Sequence, residues 1–184
     1  MKRCSWCKLN NPQYIKYHDE EWGNPVKDDL KLFEFLILEM FQAGLSWEII
    51  LNKRENFKKA FDNFDYCKIA NYDKNKINEL MSDTGIIRNK LKIVATINNA
   101  KIFLKIQKEY KSFSNYIWKW TNNKIIYISD NKITKNNVSD DISKELKKRG
   151  MKFVGSTIIY SYLQAIGIIN SHEKECAFYK IKER

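Results

Sequence analysis

The sequence predicts an all-α fold built as one compact domain. The 184 residues include only 2 Pro and 6 Gly, and few runs alternate β-branched with polar residues. Hydrophobic residues make up 43% of the chain and aromatic residues 14%, which is enough for a packed core. The length suits one compact domain or a domain with a small lobe.

Capping residues and apolar spacing place the first helices. Asp28 can cap a helix that runs to about Gln42, and Gly44 ends it. Ser46 can cap the next helix, in which Ile50, Phe57 and Phe61 recur at helical spacing. A short helix is predicted from Asp73 towards Gly85, carrying Ile77, Leu80 and Met81.

The second half of the chain is also predicted to be helical. A helix begins near Arg88, and a short one carries Phe113, Ile117 and Trp120. Residues 122–137 are expected to be irregular or weakly extended. Two further helices are predicted, one capped by Ser139 and ending at Gly150, the other capped by Ser156 and ending at Gly167.

The net charge of +11 has two explanations. It suits a polyanionic partner such as nucleic acid, but the abundance of Lys, Asn and Ile would also follow from an AT-rich genome. No segment has the roughly 18 apolar residues that cross a bilayer, and the N-terminus lacks a signal-peptide pattern. We therefore expect a cytoplasmic protein without disulfides.

The two histidines both lie in segments that contain cysteine. Cys4 and His18 are near the start, and His172 and Cys176 are near the end with i,i+4 spacing. Four such ligands suit tetrahedral zinc, which would join the two termini. Cys7 could instead pair with Cys4 and displace His18, or the residues could be scattered without function. Cys67 has no ligand-type neighbour and is expected in the core.

Two features could form a base-binding pocket. The N-terminal stretch contains Trp6, Tyr14, Tyr17 and Trp22, which could stack on an extruded base or simply fill the core. Glu39 is surrounded by apolar residues from Phe35 to Phe41. An ionised carboxylate is costly in such surroundings unless it is paired or used, although it could also face a narrow strip of solvent.

Two segments could hold a phosphate backbone. The Gly85-Ile86-Ile87-Arg88 turn would present N–H groups to a phosphate, and Lys90 and Lys92 would add positive charge. It could equally be an ordinary connection between helices. The second segment is a basic cluster followed by Gly155 and Ser156 at a helix start, for which a solvated face is the alternative; the cluster comprises Lys144, Lys147, Lys148, Arg149 and Lys152.

Several strings together resemble the DNA-3-methyladenine glycosylase I family, within the helix-hairpin-helix glycosylase superfamily. They occur in the family's order between Arg3 and Cys176: RCSWC, YIKYHDEEWG, ILEMFQAGLSWEIILNKRENF, TGIIRNKLKI and LKKRGMKFVGSTIIYSYLQAIGIINSH, followed by His172-x3-Cys176. The resemblance implies a helix-hairpin-helix glycosylase-like domain over residues 1–184. Zinc-binding termini would span residues 1–25 and 168–184, and the hairpin would span about residues 73–105.

The resemblance also assigns roles to residues. It implies one structural Zn²⁺ on Cys4, His18, His172 and Cys176, with Cys7 left as an extra thiol. Glu39 falls on the carboxylate that recognises the base and is the catalytic candidate. Trp47 falls on the stacking residue and Tyr17 on a hydrogen-bonding one, with the remaining pocket expected from Trp6, Tyr14, Trp22 and Gln42. The expected DNA-binding residues are Gly85, Ile86, Arg88, Lys90, Gly155 and Ser156.

The implied activity is monofunctional hydrolysis of the N-glycosidic bond of 3-methyladenine in double-stranded DNA, after base flipping. The family lacks the catalytic Asp that many related glycosylases carry after the hairpin, and the segment after Arg88 offers no replacement. Glu39 is therefore assigned recognition and electrostatics, and at most the positioning of water. The alternative is a non-catalytic module that binds damaged DNA. We expect a monomer without an obligate protein partner.

Overall fold

The computed structural model describes residues 1–128 and 133–179, and it is mostly helical, as predicted. The longer helices are α2 (Asp29–Gln42), α3 (Trp47–Ala60), α5 (Lys74–Ser82), α6 (Lys90–Tyr110), α8 (Asn137–Lys148) and α9 (Ser156–Ala165). The shorter helices are α1 (Pro12–Lys16), α4 (Tyr66–Ile69) and α7 (Phe113–Trp118). No helix among the described residues is long and apolar enough to cross a membrane.

Helix α2 forms the centre of the core. Every residue from Leu32 to Phe41 is buried, because apolar side chains occur on all faces of this segment. Helices α3, α6, α7 and α9 pack around it. Its C-terminal end carries Glu39 and Gln42, so the central helix also positions the site described below.

Three of the predicted N-terminal helix caps are confirmed. Asp28, Ser46 and Asp73 each accept a hydrogen bond from a backbone N–H of the helix that follows. The predicted caps Ser139 and Ser156 are wrong. Asn136 caps α8, and Ser139 lies three residues later, where its hydroxyl completes a capping box.

The start of α9 differs from the prediction in the same way. Gly155 is the N-cap, Ser156 is the first helical residue, and no side chain caps this helix end. The reason is local: Gly155 already has the extended backbone of a cap, with φ −65° and ψ 157°. The open N-terminus of α9 lies beside the pocket described below.

Three other features depart from the sequence-based picture. Residues 12–21 form α1 and a π-helical turn, neither of which was predicted. A two-residue parallel pairing joins β1 (Ile126–Tyr127) to β2 (Ile169–Asn170). Residues 129–132 of the predicted irregular stretch lie outside the described residues. Cys67 is exposed rather than in the core, because it lies on the outer side of the short helix α4.

Candidate functional site

A cavity of about 290 Å³ lies beside the C-terminal half of α2. All seven residues that the sequence analysis placed in a base pocket line it: Trp6, Tyr14, Tyr17, Trp22, Glu39, Gln42 and Trp47. Four of them come from the N-terminal segment, two from the end of α2, and Trp47 from the start of α3. The volume is close to the lower end of the range for small-molecule sites.

Glu39 is the one acidic residue among the described residues that line this cavity. Its side chain is 4% exposed, and none of the described residues donates a hydrogen bond to its Oε2 atom. Burial raises the pKa of Glu39 from 4.5 to about 8. The carboxyl group is therefore mostly protonated at neutral pH in the free protein. A cationic ligand would lower this pKa and stabilise the carboxylate.

Aromatic rings form the walls. The Tyr17 and Trp47 rings are 5.1 Å apart, and burial, reinforced by the charge of Glu39, raises the pKa of Tyr17. On the other side the Trp6 and Trp22 rings meet edge to face at 4.6 Å. The indole N–H of Trp47 is buried without an acceptor among the described residues. The cavity thus offers flat apolar surfaces together with unsatisfied polar groups.

The wall that α9 provides was not predicted from the sequence. Thr157, Tyr160, Ser161 and Gln164 of this helix line the cavity. Their spacing of three and four residues puts them on one face of a helix, so a polar stripe in an apolar helix was the available signal. Ser171, Ile133 and Thr134 also line the cavity and carried no such signal.

Cys4, His18, His172 and Cys176 form a buried cluster behind the aromatic wall. Their candidate ligand atoms all lie within 4.8 Å of one another. The Cys4 Sγ–His172 Nδ1 distance is 3.4 Å, and Cys176 Sγ is 3.5 Å from both His18 Nε2 and His172 Nδ1. Tetrahedral zinc, with bonds of about 2.3 Å to sulfur and 2.0 Å to nitrogen, requires S–N separations of about 3.5 Å. The cluster therefore fits a zinc ion.

The surrounding hydrogen bonds orient both imidazoles towards the centre of this cluster. His18 Nδ1 is 2.7 Å from Asp19, whose carboxylate also pairs with Arg3, so Nε2 faces the thiols. His172 Nε2 donates to the Trp22 carbonyl oxygen at 3.3 Å, which leaves Nδ1 for a ligand. Such outer partners are typical of metal-binding histidines. Cys7 is buried nearby but is not part of the cluster.

The predicted hairpin connects α5 and α6. Arg88 and Lys90 are exposed, and the N–H groups of Ile86, Ile87 and Arg88 have no acceptor in residues 1–128 and 133–179. The Ile86 side chain is buried, and the Gly85 N–H donates to Asp83. The Ile86 side chain and the Gly85 N–H are therefore not available to a phosphate, contrary to the prediction. The remaining free N–H groups and cations still suit a phosphate.

Lys92 does not belong to this basic surface. It is 5% exposed, and its Nζ donates to the carbonyl oxygens of Phe41 and Ala43 at 2.8 and 2.7 Å. Burial lowers the pKa of its ammonium group. Lys92 therefore holds the C-terminal end of α2.

Part of the second predicted DNA-binding segment is exposed and could contact a phosphate backbone. Gly155 and Ser156 form the uncapped start of α9, and a Cβ at Gly155 would meet nothing within 4 Å. Three of the nearby lysines of α8, Lys144, Lys147 and Lys148, are exposed. The Arg149 guanidinium instead forms ion pairs with Glu109 and Glu145.

Comparison with known proteins identifies the group to which these features belong. The sequence profile described as methyladenine glycosylase matches residues 6–180. The chain belongs to the methyladenine glycosylase family. This confirms the resemblance found in the sequence.

Individual relatives agree with this assignment. The chain is 43% identical over 183 residues to DNA-3-methyladenine glycosylase 1 of Escherichia coli (strain K12), covering 97% of each protein. It is 42% identical to DNA-3-methyladenine glycosylase of Haemophilus influenzae, covering 95% of this chain and 96% of the relative. A solved structure of 3-methyladenine DNA glycosylase I from Staphylococcus aureus superimposes with a TM-score of 0.93 at 35% identity, covering 100% of this chain and 99% of that one.

Proposed function

We propose that this protein is a DNA glycosylase that hydrolyses the N-glycosidic bond of 3-methyladenine in alkylated double-stranded DNA. The observation that carries the proposal is a buried, incompletely paired carboxyl group that lines an aromatic cavity. The names of the relatives agree with it, since both are 3-methyladenine glycosylases. One related structure is described as a complex with 3-methyladenine.

The charge of the lesion explains why these residue types suit it. A 3-methyladenine nucleotide carries positive charge on its base, so its glycosidic bond is weakened and the base departs as a neutral molecule. The cationic base would lower the pKa of Glu39, and the resulting carboxylate would accept a hydrogen bond from the exocyclic amine. The same negative charge would stabilise positive charge that develops on the sugar as the bond breaks.

The aromatic walls would select the base by its charge and shape. A cationic ring lying on an indole face gains roughly 0.5–2 kcal/mol from cation–π attraction. Trp47 and Tyr17 are 5.1 Å apart and flank one side of the cavity, so we assign stacking to Trp47 and hydrogen bonding to Tyr17. Trp6, Tyr14, Trp22 and Gln42 would complete the fit around the base.

The chain offers no support for a second, lyase step. A lyase would need a lysine amine at the reacting sugar carbon. The described residues that line the cavity include no lysine. We therefore propose a monofunctional hydrolase, in which Glu39 acts on the base and on water rather than through a covalent intermediate.

The exposed backbone groups would hold the DNA while the base is extruded. Extrusion costs a few kcal/mol, and phosphate contacts can offset that cost. We assign these contacts to the 85–88 turn with Lys90, and to the start of α9 at Gly155 and Ser156. The chain would work as a monomer in the cytoplasm, where the DNA of its bacterial relatives lies.

We assign one structural Zn²⁺ to Cys4, His18, His172 and Cys176. Burial raises the pKa of the Cys4 thiol to about 12, so a thiolate at this position needs a nearby cation. When bound, the ion would crosslink the two ends of the chain and add to its stability. It lies behind the aromatic wall, and we give it no part in the reaction.

The decisive experiment measures the free bases that the purified protein releases from methylated duplex DNA, resolved by chromatography. We expect release of 3-methyladenine while 7-methylguanine stays in the DNA. Glu39→Gln should slow release about 100-fold at pH 8. Glu55→Gln, an exposed change on α3, should leave it intact. No release by folded, zinc-loaded protein would refute the enzyme and favour a module that binds lesions without turnover.

A further inference from the structure

The N-terminal wall of the base cavity contains a π-helical turn over Tyr17–Glu21. The Trp22 N–H donates to the Tyr17 carbonyl oxygen at 2.9 Å, which encloses one residue more than a turn of α-helix does. π-helical turns are rare and are frequently found at functional sites. This turn begins at Tyr17 and is followed by Trp22, and both of these side chains line the base cavity.

The extra residue separates two side chains that an α-helix would keep together. Positions 17 and 21 are four residues apart, so in an α-helix they would share one face. Here Tyr17 lines the base cavity, whereas Glu21 lines a second cavity of about 500 Å³, which is also lined by residues of α1, α2 and α3. The orientation of Tyr17 therefore depends on what holds Glu21 on the other side of the turn.

Arg54 of α3 holds Glu21. Its Nη1 and Nη2 atoms donate to the two carboxylate oxygens of Glu21, each at 2.8 Å, and its Nε atom donates to Glu34 at 2.7 Å. Lys31 pairs with the same two carboxylates at 3.2 and 3.1 Å. Burial opposes the ionisation of Glu21, but the hydrogen bonds from Arg54 outweigh it and lower the pKa of this carboxyl group.

The bonds of Arg54 supply orientation that apolar packing would not. A buried ion pair seldom stabilises a protein more than well-packed apolar residues of similar volume. Two parallel hydrogen bonds from a guanidinium group, however, fix the direction of the carboxylate. Arg54 is 9% exposed, and its guanidinium lies 5.3 Å from the Phe35 ring, which in turn is 6.3 Å from the Tyr17 ring. Arg54 thus supports Tyr17 both through Glu21 and through Phe35.

We propose that Arg54 is a positioning residue, which holds the π-helical turn through Glu21 so that the Tyr17 hydroxyl faces the base cavity. This inference rests on the proposed glycosylase function, in which Tyr17 forms a hydrogen bond to the extruded base. The described residues that line the base cavity do not include Arg54, so Arg54 acts through Tyr17 and not on the base. A displacement of a positioning group by about 1 Å is enough to slow a reaction substantially.

The test replaces Arg54 with lysine, which keeps the charge but loses the two parallel hydrogen bonds to Glu21. Excision of 3-methyladenine from duplex DNA, measured in a single turnover, should fall about tenfold. Affinity for free 3-methyladenine, followed by tryptophan fluorescence, should fall about fivefold. Glu21→Gln should have the same effects. It leaves the pairs of Glu34 with Arg54 and Lys31 in place, so it provides the test if the lysine variant does not fold.

A double-mutant cycle with Tyr17→Phe separates positioning from a loss of stability. If Arg54 acts through the Tyr17 hydroxyl, the change at Arg54 has nothing left to disturb once this hydroxyl is absent. Arg54→Lys combined with Tyr17→Phe should therefore excise within about threefold of Tyr17→Phe alone. A general loss of stability would instead multiply the two effects. The same cycle can be made with Glu21→Gln.

Two controls match the change in charge and the change in stability. Lys58 lies one turn after Arg54 in α3 and is exposed at the second cavity, so Lys58→Ala should leave excision and Tm unchanged. Tyr72→Phe removes the hydrogen bond from the Tyr72 hydroxyl to Asp62. It should lower Tm but leave excision and base affinity unchanged, because neither residue lines the base cavity.

The outcomes distinguish this inference from the function on which it rests. Wild-type protein that releases no 3-methyladenine would refute the glycosylase proposal itself. If the wild type is active, wild-type excision and base affinity in a folded Arg54→Lys or Glu21→Gln variant would refute the role of Arg54 alone. Effects that multiply in the double mutant would also refute it, because Arg54 would then act on stability rather than on Tyr17.

Discussion

Replacing Glu39 with glutamine tests the buried carboxyl group through stability as well as activity. The folded-state pKa of Glu39 is raised from 4.5 to about 8, so folding favours the protonated form. At low pH the carboxyl group is protonated in both states, and its burial carries no charge penalty. As the pH rises from 4.5 towards 8, the unfolded state releases the proton more readily than the folded state, so the free energy of unfolding falls. Glutamine carries no such cost at any pH. The variant should therefore gain stability relative to the wild type as the pH is raised.

The size of this effect follows from the pKa difference. A tenfold difference in proton affinity corresponds to about 1.4 kcal/mol. Between pH 5 and pH 8, the wild type should lose about 3 kcal/mol of unfolding free energy that Glu39→Gln keeps. Any constant effect of the amide, such as an unpaired N–H, cancels when the two pH values are compared. At pH 8 the excision rate of the variant should be about 100-fold below that of the wild type.

Urea unfolding of both proteins at pH 5, 6.5 and 8 measures this difference. Glu55→Gln, on the exposed side of α3, is the matched control and should follow the wild type throughout. A difference between Glu39→Gln and wild type that stays constant from pH 5 to pH 8 would refute the buried, high-pKa carboxyl group. Full excision by a folded Glu39→Gln variant would refute its catalytic assignment separately.

Three further changes test other parts of the site. Trp47→Ala should weaken binding of free 3-methyladenine about tenfold, measured by calorimetry, through loss of cation–π stacking; unchanged affinity would exclude this ring as the stacking face. Cys4→Ser should lose the zinc ion, as measured by metal analysis, and should have a lower Tm. Cys7→Ser should keep one zinc ion per chain. A full zinc content in the Cys4 variant would instead make Cys7 a ligand. Gly155→Glu should weaken duplex binding with little change in Tm, because nothing surrounds a Cβ there and the added charge would repel phosphate. Unchanged affinity at low salt would remove α9 from the DNA surface.

The sequence was most informative where a single local pattern determines the outcome. Asp28 and Ser46 cap helices as predicted, since a cap depends on residues within one turn. Glu39 was singled out because apolar neighbours on every side imply burial, and its carboxyl group is indeed buried. The pocket residues near the N-terminus were found because they lie close together in the chain.

The sequence was less informative where contacts between distant residues determine the orientation of a side chain or helix face. Lys92 has the same local surroundings as Arg88 and Lys90, yet it turns inwards because the end of α2 supplies two carbonyl oxygens. Ser139 and Asn136 are both good caps, and only the observed start of α8 separates them. The α9 wall of the cavity was missed because the polar stripe of α9 does not reveal which surface that face packs against, and only the structure places it in the same cavity as Glu39.

Helix α6 explains how distant parts of the site keep a fixed relation. It begins at the hairpin proposed to bind DNA, and its Lys92 holds the end of the helix that carries Glu39. Two turns later the Asn99 side chain holds the loop between α8 and α9 through both backbone groups of Lys152. Because a single continuous helix makes all three connections, the hairpin, the end of α2 and the α8–α9 loop keep a fixed relation to one another. We propose that this fixed relation sets the geometry for base extrusion before DNA binds, which would lower the cost of reaching the reactive complex.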